Sequence, residues 1–149
     1  MTDVVVREAT VDDAAVIASL LAELGYPWTP GVVAERLKAS NAVGNVALVA
    51  QRGDEVVGVL TLSAMQVLHR PKPVGRISAF VVTEGCRGQG IGRTMVAAAE
   101  RHLAARGCGL VEVTSNRRRE DAHAFYERLG YERTSYRFAK ALESSAAIK

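Results

Sequence analysis

Val81-Val-Thr-Glu-Gly-Cys-Arg-Gly-Gln-Gly-Ile-Gly-Arg-Thr-Met95 is a β-branched run that breaks into a basic, glycine-rich loop and then opens into a helical pattern. Gly88, Gly90 and Gly92 let the backbone approach a ligand closely, because glycine has no Cβ to hold it off. A helix that starts there points unbonded N–H groups and the positive end of its dipole at the loop. The stretch therefore predicts a strand, an anion-cradling turn and a helix, and a phosphate or pyrophosphate fits it best. Spacing disfavours two nucleotide-binding loops. A phosphate loop needs lysine and then a hydroxyl residue after its last glycine, but Ile91 and Gly92 follow Gly90. A dinucleotide fingerprint needs G-x-G-x-x-G after a first strand, whereas these glycines run G-x-G-x-G past mid-chain.

Outward from the loop, Arg76 to Val82 reads as the strand before it. Ile91, Met95, Ala98, Ala99 and Leu103 form an apolar stripe on the helix after it, which Gly107 stops. Gly109 to Thr114 reads as a buried strand. Strand, helix and strand in that order form a crossover, so the two strands should be parallel and the connection right-handed. Upstream, Val4 to Val6 predicts a first strand. Thr10 and Asp13 make a capping-box pattern before a helix carrying Val16, Ile17, Leu20, Leu21 and Leu24. Thr29-Pro30 starts a second helix through Val33 and Leu37. Val46 to Gln51 and Val56 to Ser63, separated by Arg52 to Glu55, predict an antiparallel hairpin. Downstream, Asp121 to Leu129 predicts a short helix and Tyr131 to Lys140 two β segments broken near Ser135. The expected fold is α/β (α+β): one domain over residues 1–149 with a mixed, mostly antiparallel sheet, and a frayed tail at about 143–149.

At 149 residues and 48% hydrophobic content, the chain can bury a core but is short for two domains. No apolar run is long enough for a membrane helix and the start has no targeting pattern, so a cytoplasmic protein is expected. Cys86 and Cys108 suit reduced thiols better than a disulfide framework. The net charge of +3 and the 5% aromatic content argue against nucleic-acid binding. His69, His102 and His123 share no spacing that builds a metal site, so no metal is expected. Arg117 to Arg119 read first as a solvated helix entrance and second as phosphate contacts.

A second segment runs Val111-Glu-Val-Thr-Ser-Asn116 and, after an arginine-rich stretch, Ala122-His-Ala-Phe-Tyr126-Glu-Arg-Leu-Gly-Tyr131. With Arg87-x-x-Gly90-x-Gly92 it resembles the two signatures of the GNAT family of N-acetyltransferases, and the resemblance covers about Val4 to Leu142. It implies acetyl-CoA as co-substrate, with its pantetheine arm between two splayed parallel strands. It also implies donor contacts from Phe80, Val81, Val82, Arg87, Gly88, Gln89, Gly90, Ile91, Gly92, Arg93 and Thr94, with a Val82-region amide polarising the thioester carbonyl. Asn116 is either a pantetheine contact or a strand-end turn residue. Tyr126 can protonate the departing thiolate, since a phenol of pKa about 10 carries its proton at neutral pH. Phe125 and Tyr126 also suit simple packing of the short helix.

Many members of that family carry a carboxylate about where Ser78 and Ala79 stand here. Glu112, acting through a water, is the alternative base, with Glu84 and His123 as further options. The acceptor pocket is expected from Tyr26, Trp28, His69, Arg76 and Ser78. Trp28 equally suits a buried anchor. The chain's ending is similar to aminoalkylphosphonate N-acetyltransferases, a branch of the family. That implies a small primary amine bearing an anionic group, which Arg70, Lys72 or Arg76 would meet. Acetylation of a protein or peptide, and acyl-CoA binding without catalysis, are the alternatives. Terminal strands of this kind also allow a homodimer.

Overall fold

The computed structural model describes residues 3–114 and 119–143. Contacts group the chain into two compact units, Met1–Val113 and Thr114–Lys149. In the first unit, strands β1 (Val5–Glu8), β2 (Val46–Arg52), β3 (Glu55–Met65), β4 (Val74–Val82) and β5 (Leu110–Val113) form one sheet in sequence order. The first three pairings are antiparallel and β4–β5 is parallel. The crossover from β4 to β5 runs through helix α3 (Ile91–Ala105). Helices α1 (Ala14–Glu23) and α2 (Pro30–Ala42) separate β1 from β2. The fold is thus the mixed, mostly antiparallel architecture expected.

The core has two sides. Ile17 and Leu20 of α1 and Val33 and Leu37 of α2 pack with Ala47, Val49, Val59 and Val81 of the sheet. Ile91, Met95, Val96, Ala99 and Leu103 are buried along α3. Two strand glycines let α3 sit close to the sheet. An added Cβ at Gly58 would lie 2.7 Å from Met95 Sδ, and one at Gly75 would lie 2.7 Å from Leu103 Cδ1.

The β2–β3 connection is tighter than expected. Arg52 pairs with Glu55, leaving Gly53 and Asp54 as the turn, with Gly53 at φ 59. The helix caps follow the sequence signals: Thr29 Oγ1 accepts the Val32 amide at 3.2 Å ahead of α2, and Gly107 takes φ 86 after α3.

Asp13, which ends a 3-10 turn before α1, is the buried charged residue among the described residues. Its carboxylate accepts both terminal nitrogens of Arg7 at 2.9 Å and the Thr10 amide at 2.8 Å. The bond to Arg7 holds its carboxyl below the usual carboxylate range, helped by Thr10 and opposed by burial. The stabilisation from this pair is therefore present above the unfolded-state pKa of about 3.9 and is lost as pH falls through the lower folded value. Asp13→Asn should lower stability by about 2 kcal/mol at neutral pH, the scale of a hydrogen bond to a charged group. Thermal melts of variant and parent should converge in strong acid; a constant gap down to the lowest pH would remove the linkage.

Two expectations are corrected. The segment from Gly109 is not a buried strand: β5 spans Leu110–Val113, alternates exposed and half-buried residues, and leaves Leu110 41% exposed. It is the last strand in the order, with a ladder to β4 on one side. The second unit contains α4 (Glu120–Arg128), which Tyr131 closes by donating its amide to Tyr126 O at 3.1 Å. Tyr131 to Lys140 form no strand, and Tyr136 and Phe138 stand exposed. A strand needs a neighbour's backbone groups to bond, and α4, the regular element described in this unit, offers no ladder. Among the described residues, no helix is long and apolar enough to cross a membrane.

Candidate active site

At the end of β4 the chain makes a 3-10 turn, Glu84–Cys86, then the glycine loop, then α3. Gly88 (φ 78) and Gly90 (φ 81) both adopt the left-handed backbone that favours glycine. Gly90 is the residue that caps α3, and its carbonyl accepts the first helical bond, from Thr94 N at 3.2 Å. Thr94 Oγ1 bonds the same carbonyl at 3.1 Å. Helix geometry leaves the amides of Ile91, Gly92 and Arg93 with no carbonyl one turn back. A Cβ at Gly88 would meet no atom within 4 Å, so the space beside Gly88 is open. The first turn of this 15-residue helix thus carries unbonded amides at its positive end, a combination that suits a diphosphate.

The loop's side chains are committed to holding it. Arg87 donates Nε to Val82 O at 3.0 Å and sets Nη2 3.7 Å from Glu23 Oε1. Arg52 donates to Gln89 Oε1 at 2.6 Å and to Cys86 Sγ at 3.7 Å. Neither Glu23 nor Arg52 stood out in the sequence. Both reach the loop from distant chain positions, and local pattern carries no signal of such contacts.

The parallel ladder of β4 and β5 ends at Ile77 and Val113, while β4 runs on through Phe80, Val81 and Val82. The register to β3 also slips here: Thr61 pairs with Ala79 and Leu62 with Ile77, so Ser78 is an extra residue in β4. Thr61 Oγ1 accepts the Ala79 amide at 2.9 Å and shares a 2.8 Å hydrogen bond with the Ser78 hydroxyl. Thr61, missed in the sequence, thus supports the bulge at the position that lacks a carboxylate.

One residue pair before the end of the ladder, Arg76 faces Glu112. Nη2 and Nε of Arg76 lie 3.1 and 3.2 Å from Glu112 Oε1, with both side chains nearly half exposed. Exposed pairs of this kind are weak and can exchange partners. Trp28 is not the buried anchor: it is 40% exposed, with the Arg36 guanidinium carbon 4.4 Å from its ring centroid. Tyr26 and His69 are exposed as well. A groove of about 580 Å³ is lined by Arg7, Asp12, Asp13, Asp54 and Glu55, and reaches Thr83 and Cys86 at the entrance to the glycine loop. Asp12, Asp54 and Glu55 give that groove an acidic lining, in contrast to the amides that open α3.

In the second unit, Tyr126 is half-buried, edge-on to Phe125 and Tyr131 at centroid distances of 5.3 and 5.9 Å. Burial pushes its phenol pKa up, partly opposed by Arg119. Asn116, Arg117 and Arg118 lie outside the described residues.

Residues 14–131 match the acetyltransferase (GNAT) family. The chain belongs to the GNAT family of acetyltransferases. It is therefore an enzyme of that class, and the family's acetyl donor is acetyl-CoA. The chain is 38% identical over 141 residues to the aminoalkylphosphonate N-acetyltransferase of Salmonella typhimurium, covering 91% of this chain and 90% of that one. Among solved structures it is similar to a transcriptional regulator from Bacillus halodurans C-125 (TM-score 0.87, 29% identity, 93% and 99% of the two chains). It is also similar to an acetyltransferase from Trypanosoma brucei (TM-score 0.81, 25% identity, 94% and 100%).

Proposed function

We propose that this GNAT enzyme transfers the acetyl group of acetyl-CoA to the primary amine of a small molecule, by direct attack within a ternary complex. The observation that carries the reading is the amide cradle formed by Gly88, Gly90 and the first turn of α3. Acetyl-CoA supplies a thioester, whose carbonyl carbon accepts the amine and whose sulfur leaves as thiolate.

The chain's own residues then divide the work. Amides from Arg87 to Gly92, with Arg93 and Thr94, hold the diphosphate. Phe80 to Val82 line the pantetheine, and an amide near Val82 stabilises charge on the carbonyl oxygen. Tyr126 gives its proton to the thiolate, and its raised pKa keeps that proton on the phenol at neutral pH. Asn116 is carried over as a pantetheine contact. Tyr26, Trp28, His69, Arg76 and Ser78 bound the acceptor. The likeness to an aminoalkylphosphonate N-acetyltransferase supports an amine with an anionic group. Such a group can take Arg76 from Glu112, freeing the carboxylate to relay the ammonium proton through water.

Thiol release from acetyl-CoA, measured across aminoalkylphosphonates, aminoglycosides, polyamines, amino acids and peptides, tests this reading. Turnover should be highest with aminoalkylphosphonates and should fall at least about tenfold when the anionic group is removed, the scale of one lost charge-assisted hydrogen bond. Turnover restricted to peptides would move the acceptor class. Saturable coenzyme binding with no amine-dependent release would make the chain a binding protein.

A further inference from the structure

Glu23, the last residue of α1, reaches across 60 residues of sequence to the segment that enters the glycine loop. Its Oε2 accepts the Thr83 hydroxyl at 2.8 Å, and its Oε1 accepts the Glu84 amide at 3.0 Å. The same Oε1 faces Arg87 Nη2 at 3.7 Å. Thr83 is fixed from the other side, since its amide donates to Val57 O at 2.8 Å and its carbonyl accepts the Cys86 amide at 2.9 Å. One carboxylate thus ties the start of the turn, an amide within it and the arginine that leads into Gly88.

A carboxylate near a diphosphate site would ordinarily oppose anion binding. Here its charge is met by Arg87, whose Nε is in turn bound to Val82 O. We infer that Glu23 is a positioning residue for the donor loop, and that Arg87 acts with it as a brace rather than as a direct ligand of the diphosphate. The inference rests on the loop being the acyl-CoA site. It makes the removal of a negative charge weaken anion binding, the opposite of what simple electrostatics would give. If Arg87 were instead a direct ligand held back by Glu23, deleting Glu23 would release it and tighten binding.

Calorimetric Kd values for coenzyme A and steady-state kinetics with acetyl-CoA, for Glu23→Ala, Glu23→Gln, Arg87→Ala and the double alanine variant, separate these cases. Glu23→Ala should raise Kd and the KM for acetyl-CoA about tenfold, with kcat at saturation and the amine KM within about twofold of wild type, because an ordering contact is lost outside the reacting atoms. A purely structural role would lower the active fraction, and so kcat, without moving KM. Glu23→Gln keeps an acceptor oxygen but no charge, so it should fall between, and it serves as the test if the alanine variant fails to fold. The double variant should bind no more than about twofold worse than the weaker single, as expected of two members of one brace. Unchanged or tighter coenzyme binding in Glu23→Ala, or additive losses in the double variant, overturns the inference while leaving the donor site intact. Absence of coenzyme binding in the wild-type protein overturns both.

Discussion

Gly90→Glu should weaken acetyl-CoA binding by at least about a hundredfold. Three losses act together. The backbone at φ 81 is strained for any residue with a Cβ, at a cost of about 1–2 kcal/mol. The new side chain stands at the residue that caps α3, next to its first unbonded amides. Its charge opposes a diphosphate at the point where the α3 dipole attracts one. About 2.7 kcal/mol suffices for the hundredfold change. Gly107→Ala, with φ 86 at the opposite end of α3, carries comparable backbone strain away from the cradle. Its melting temperature should fall while its Kd stays at the wild-type value. Calorimetry on both variants checks this, and an unchanged Kd for Gly90→Glu would remove the loop from the donor site.

The second large effect belongs to Tyr126→Phe. Loss of a positioned proton donor should lower kcat by about 10²–10⁴-fold and leave acetyl-CoA affinity within about twofold. The ring still packs edge-on to Phe125 and Tyr131, so folding should be little changed. The pH profile adds an independent check. Burial raises the Tyr126 pKa, so the phenol keeps its proton at and below neutral pH. Activity that depends on it should persist to about pH 10, the ordinary phenol value, and disappear only as pH rises through the higher folded value. The Phe variant should lack that alkaline limb, and equal turnover in the two proteins would take Tyr126 out of the chemistry.

Much of this architecture is legible because local chemistry dictates it. Gly88 and Gly90 announce a loop without Cβ atoms, Thr29-Pro30 announces a helix start, and Arg52 to Glu55 announces a hairpin connection, though one longer than the two-residue turn that forms. The stripe on α3 reads as a buried helix face for the same reason. What escapes is settled by partners far along the chain. Nothing near Ser78 signals that it is an extra residue in its strand, because the slip exists only against Thr61 and Leu62. No local pattern marks Glu23, because its partners Thr83, Glu84 and Arg87 lie about 60 residues away. The alternation of Tyr136 and Phe138 suggests a strand, yet pairing depends on a neighbour that periodicity cannot supply.

The bare positions at Gly58 and Gly75 carry a consequence for the energetics of donor capture. With Met95 and Leu103 pressed into the space where side chains would stand, α3 has little room to tilt or slide. Its N-terminal amides should accordingly share the immobility of the sheet before any coenzyme arrives. Little entropy would then be surrendered on ordering them, and affinity would be governed mainly by the diphosphate's own desolvation.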